Sequence, residues 1–99
     1  MIVYSYHLVT SPERLADLQT ALALLASDLA SRAGLRATTL LHRADDPLVY
    51  RFEECWDSAA AHDAAMDPAL KVLLKQVMDS VVGPVTGTRF QSAILAVTY

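Results

Sequence analysis

Leucines at positions 15, 18, 22, 25 and 29 recur at intervals of three and four. That spacing lays one apolar stripe along a helix and predicts an amphipathic helix over the stretch. Asp17, Thr20, Ser27, Asp28 and Ser31 fall mostly off the stripe. Thr10-Ser11-Pro12-Glu13 predicts the helix start, with Ser11 as the cap, Pro12 at the first helical position and Glu13 near the positive end of the dipole. Arg32 suits the last turn, and Gly34 suits a left-handed stop. Residues 2–9 follow another rule. They are β-branched and aromatic, which predicts a strand. Ile2, Tyr4, Tyr6 and Leu8 share one face of it, and Val3, Ser5, His7 and Val9 share the other.

A second strand is predicted from about Leu35 to Arg43, and Ala44-Asp45-Asp46-Pro47 reads as a turn. The strand after it, Leu48 to Trp56, alternates cleanly. Leu48, Tyr50, Phe52, Glu54 and Trp56 point one way, and Val49, Arg51, Glu53 and Cys55 the other. The short turn predicts an antiparallel hairpin. Asp57 or Ser58 caps an alanine-rich helix, which Asp67-Pro68 should break and restart, since proline lacks an N–H and crowds the preceding turn. Leu70, Leu73, Leu74, Val77, Met78 and Val81 form the apolar face of the second segment. Gly83-Pro84 ends it, and a last strand is expected from about Thr88 to Val97. Strand, helix, strand, strand, helix, strand is the α+β, ferredoxin-like βαββαβ order, a four-stranded antiparallel sheet with its helices on one face. The expected organisation is a single domain over residues 1–99.

Composition adds a partner. Apolar residues make up 54% of the chain and charged residues 19%, rich for so small a domain. The first strand carries bulky apolar groups on both faces, so one sheet face needs a cover. A homodimer packed sheet against sheet supplies it. The net charge of −3 with no basic run argues against nucleic acid and against an anionic membrane surface. The N-terminus shows neither a signal pattern nor a membrane span, and a lone cysteine suits a reducing compartment. The expected location is cytoplasmic.

The residues with chemistry to offer cluster late. Trp56 at a strand end is either a core anchor or a donor through its indole N–H. Glu54 shares its face; buried there, its pKa would rise and it would serve as a base, whereas at the strand end it would reach water or an arginine. His62 either lines a pocket as a base or is a solvated helix residue. His7 and Ser5 alternate on the first strand and are candidates for the same cavity, while His42 near the hairpin turn reads as surface. Cys55 alternates away from Trp56, towards the expected dimer face. The three histidines sit on three elements without ligand spacing, so no metal site is expected, and no nucleotide or nucleophile motif is present.

From "LLHRADDPLVYRFEECWDSAAAHDAAM" and "GPVTGTRF", the chain resembles the antibiotic biosynthesis monooxygenase domains of the dimeric α+β barrel superfamily. Glu54-Cys55-Trp56-Asp57-Ser58 follows the family's order after the hairpin, and the Gly-Pro step precedes the last strand. The resemblance implies oxidation of a small aromatic, phenolic or quinol-like compound by dioxygen, without metal, flavin or other cofactor. The substrate, once deprotonated, supplies the electrons. The protein supplies a dry pocket, a base and donors for the oxyanion. On that reading Trp56, His62 and Glu54 are the catalytic candidates, and His7, Ser5, Phe52 and Met66 line the substrate. The chain departs from the pattern in three places. Phe52 stands where some members carry Asn, His62 where they carry Tyr, and the Ala64-Ala65-Met66 run where many carry His. Ser5, Ala65 and Lys75 or Gln76 do not match the haem-degrading branch. The competing expectation is a non-catalytic dimeric barrel that binds a small apolar ligand or serves as a partner domain.

Overall fold

The computed structural model describes residues 1–91. Its elements are β1 (Ile2–Val9), α1 (Leu15–Leu29), β2 (Leu35–Arg43), β3 (Asp46–Trp56), α2 (Ala59–Ala65), α3 (Pro68–Asp79) and β4 (Thr86–Gln91). The strands form one antiparallel sheet in the order β2-β3-β1-β4. This is the ferredoxin-like α+β fold, with the second helical region in two pieces. The expected continuation of the last strand to Val97 lies outside the described residues.

The leucine stripe does what its spacing predicts. Leu18, Leu22, Leu25 and Leu29 of α1 are fully buried and join Leu8, Tyr50, Phe52, Trp56, Leu70 and Val77 in one core. Strand alternation then divides the sheet. Tyr4, Tyr6, Leu8, Tyr50, Phe52, Glu54 and Trp56 face the helices. Val3, Ser5, His7, Val49, Arg51, Glu53 and Cys55 face away, on a side that the described residues leave uncovered and where Leu41 and Phe90 are exposed.

Helix α1 starts later than Ser11-Pro12 suggested. Arg14 N–H donates to the Ser11 carbonyl (3.1 Å) and closes a turn, and the N-cap is Arg14, with no side-chain cap. Tertiary bonds fix this stretch instead. Thr10 N–H donates to the Leu48 carbonyl (2.9 Å), Thr10 Oγ1 to the Ser80 carbonyl (2.7 Å), and Arg14 to the Val81 carbonyl (2.9 Å). The hairpin is tighter than expected. Arg43 pairs with Asp46, so only Ala44 and Asp45 form the turn, and Pro47 lies near the start of β3 beside a register shift, where no ladder N–H is needed.

The break at Asp67-Pro68 is present. Ser58 Oγ caps α2 through Ala61 N–H (3.1 Å), and Asp67 Oδ1 caps α3 through Leu70 N–H (2.9 Å), with Pro68 in its first turn. Arg32, beyond the end of α1, pairs with both Asp28 and Asp67 and ties that helix to the α2–α3 joint. Gly34 also lies past the end of α1 rather than at it. Its φ of +86° is left-handed, and a Cβ there would stand 2.5 Å from Ala61 Cβ. Glycine thus lets α2 close onto the β2 entry, and α2 carries His62.

Candidate functional site

Burial and alternation build the site around Glu54. Its strand position points it into the core, where it is 1% exposed beside a fully buried Trp56. Residues two apart on a strand share a face. Here that proximity becomes a bond, in which Trp56 Nε1–H donates to Glu54 Oε1 at 2.9 Å. Burial pushes the Glu54 carboxyl above its usual range, while the indole bond and the nearby His62 pull it back part of the way. The bond from Trp56 is the one hydrogen bond that the described residues give the Glu54 carboxyl.

Glu54 borders a cavity of about 50 Å³ between sheet and helices. Leu8, Leu22, Leu25, Phe52 and Val77 complete its buried floor, and Tyr6, Leu74, Met78 and Val85 are its partly exposed members. Glu54 is the only carboxyl among these residues. Tyr6 pairs with Phe52 across β1 and β3, one step along from the Tyr4–Glu54 pair, so Tyr6 and Glu54 are diagonal neighbours on the helix-facing side. Burial first, then the charges of Glu54 and Tyr4, hold the Tyr6 phenol well above its ordinary pKa. Tyr6 is therefore a neutral hydrogen-bond donor over the whole physiological range.

His62 stands one contact back. Its ring stacks on Tyr4 with centroids 3.8 Å apart and planes at 13°, and meets Trp56 edge-on at 5.6 Å and 87°. Its Nδ1 lies 3.0 Å from Asp63 Oδ1. A carboxylate only accepts, so Nδ1 is the donor in this contact and Nε2 is the other ring nitrogen. That Nε2 and the Tyr4 hydroxyl are buried without a partner among the described residues.

Of the residues singled out in the sequence, Glu54 and Phe52 border the cavity. Trp56 touches it only through Glu54, and His62 only through Trp56 and Tyr4. Met66 packs on the core at the end of α2 but is not in the cavity wall. Ser5 and His7 were expected at the same cavity and lie on the opposite face of the sheet. Ser5 is buried there, and His7 is exposed beside Arg51. His42 is exposed, with its ring 6.0 Å from that of Tyr50. Tyr6 was missed as a site residue; its diagonal relation to Glu54 was implicit in the alternation once the strand pairing was known.

Among the described residues, no three His, Cys, Asp or Glu side chains gather as a metal site, and no helix is long and apolar enough to cross a membrane.

Comparison with known proteins gives a consistent picture. The family model for antibiotic biosynthesis monooxygenases matches residues 1–69. No curated protein matches the sequence. Among solved structures, a Deinococcus radiodurans protein assigned to the antibiotic biosynthesis monooxygenases superposes with a TM-score of 0.87 at 18% identity, covering 100% of this chain and 99% of that one. A Mycobacterium tuberculosis protein, Rv0793, gives 0.85 at 20% identity over 97% and 98%. SnoaB, a cofactor-independent oxygenase from Streptomyces nogalater, gives 0.80 at 15% identity over 95% and 94%. At these identities the structural likeness establishes the fold.

Proposed function

The chain belongs to the antibiotic biosynthesis monooxygenase family, and on that premise we propose that it oxidises a small phenolic or quinol-like compound with dioxygen, without metal or flavin. One observation carries the reading. A buried carboxyl, held by an indole N–H on one oxygen and given no second hydrogen bond by the described residues, borders an apolar cavity. Such a group is a base poised to take a proton from a ligand that brings little water with it.

Glu54 Oε2 takes the proton of the bound phenol. The resulting anion passes an electron to dioxygen, recombination forms a peroxide anion on an activated ring carbon, and Glu54 returns the proton to make the hydroperoxide. Loss of that carbon's hydrogen with cleavage of the O–O bond leaves a carbonyl. In sum a ring CH₂ of the keto tautomer becomes C=O, one atom of dioxygen enters the product, and the other leaves as water. Trp56 orients the carboxylate, Tyr6 donates to the developing oxyanion, and His62 buttresses Trp56. Phe52 forms the apolar floor. A second copy of the chain, covering Val3, Cys55 and Phe90 on the open sheet face, makes the dimer that the fold needs.

One observation favours the non-catalytic reading. The Trp56 N–H is already committed to Glu54, which leaves Tyr6 as the one oxyanion donor in this scheme. Oxygen uptake decides between them. On metal-free protein with a panel of quinols, wild type consumes oxygen, and Glu54→Gln loses about 10²–10⁴-fold in rate, the range of one acid–base group. Trp56→Phe and His62→Ala lose less. A wild type that binds apolar phenols but consumes no oxygen with any of them is a binding module.

A further inference from the structure

The cavity wall is not uniformly buried, and the difference locates its mouth. Glu54 and Phe52 on the floor are closed off from solvent. Tyr6 of β1, Leu74 and Met78 of α3, and Val85 at the approach to β4 line the same space and are partly or largely exposed. Met78 is the extreme case, 53% exposed although it forms part of the wall. A wall residue that also meets solvent stands at the rim. Among the described residues, the entrance therefore lies between the C-terminal half of α3 and the β4 side of the sheet, away from α2 and His62.

We propose that Met78 is the gate of this entrance and sets the size of ligand that reaches Glu54. About 50 Å³ holds a few water molecules, so even a single aromatic ring needs a side chain to move. The buried floor is fixed by packing, and shifting it would disturb the core. Methionine at the rim is unbranched, with three rotatable bonds and a polarisable sulfur that packs well on aromatic rings. It swings aside at little cost and then closes over the ring. Val72 of the same helix is 58% exposed and does not line the cavity, so it separates a gate from a general effect of trimming α3. The inference rests on reading the cavity as the ligand site and is independent of the oxygenation step.

The test is binding of phenol and of 2-naphthol, measured by calorimetry on wild type, Met78→Ala and Val72→Ala. Both substitutions are at exposed positions, and circular dichroism confirms the fold of each. Met78→Ala is expected to shift the affinity ratio towards 2-naphthol by about tenfold, the discrimination that a methylene or more of pocket space confers. Val72→Ala leaves the ratio within about twofold, as expected for a surface change away from the site. An unchanged ratio in Met78→Ala, an equal shift in Val72→Ala, or a wild type that binds neither compound overturns the gate. Oxygen uptake on the same samples keeps the two ideas apart. A shifted ratio without uptake retains the gate and removes the oxygenase, and uptake with an unmoved ratio does the reverse.

Discussion

Trp56 Nε1 and Glu54 Oε1 are 2.9 Å apart in a part of the core where both side chains are closed to solvent. The indole satisfies one carboxyl oxygen of an acid that burial alone would leave stranded. Trp56→Phe removes that donor and part of the packing. It should cost about 2–4 kcal/mol in stability, from an unsatisfied buried acceptor and an incompletely filled site. Because the indole bond pulls the Glu54 pKa down, its loss should raise that pKa further. Urea denaturation measures the first effect, and a higher apparent pKa in the pH–rate profile the second. Unchanged stability would mean that the bond contributes nothing.

Glu54 also predicts a pH dependence of folding. Its pKa is raised in the folded state, chiefly by burial. The folded protein thus holds this proton more tightly than the unfolded chain does. The contribution is present in full below the ordinary carboxyl value of 4.5 and is lost as pH rises through the folded value. Gln keeps an acceptor for the indole and does not ionise. The stability of Glu54→Gln relative to wild type should therefore increase from acidic to neutral pH. Thermal melts of both proteins across that range check it, and a pH-independent difference contradicts it.

Gly34 and Ala61 make a third test. An L-residue at the left-handed φ of Gly34 costs roughly 1–2 kcal/mol, and the new Cβ would overlap Ala61 Cβ at 2.5 Å. Gly34→Ala should therefore destabilise by more than the backbone amount alone. Adding Ala61→Gly should recover the steric part and leave the backbone part. Denaturation of the single and double variants reads both. Failure of the second change to recover any stability would show that α2 does not rest on Gly34.

The residue pattern displayed some of this and concealed the rest, for physical reasons. Alternation along β3 placed Tyr50, Phe52, Glu54 and Trp56 together, and Asp67-Pro68 marked the helix break, because both signals are local. The Ser5 and His7 placement failed where β1 is apolar on both faces. Alternation says which residues are together and not which set the helices cover. The α1 start shifted because Thr10 and Arg14 are held by Leu48, Ser80 and Val81, partners far away in sequence. The Tyr4–His62 stack depends on where α2 lies, which a close contact between Gly34 and Ala61 helps to set. No periodicity reveals such a contact.

The open sheet face predicts assembly. Val3 sits between Cys55 and Phe90 in the pairing of β3, β1 and β4, central on the side with exposed apolar groups. Light scattering at micromolar concentration should give twice the 10.8 kDa of the chain, and Val3→Asp should reduce the mass to that of one chain. A wild type already at 10.8 kDa would leave this face without its second copy.

The chain holds one tryptophan, so a nitrogen–proton NMR spectrum contains one indole signal, and its proton is the one bonded to Glu54. Titrating phenol into labelled protein while following that signal reads out whether the ligand's proton reaches Glu54. If the phenol delivers its proton to Glu54, the indole resonance moves in step with binding, and in Glu54→Gln it moves far less although phenol still binds. An indole signal that stays in place while resonances elsewhere shift with phenol would put the ligand somewhere other than against Glu54, and Glu54 would not be its base.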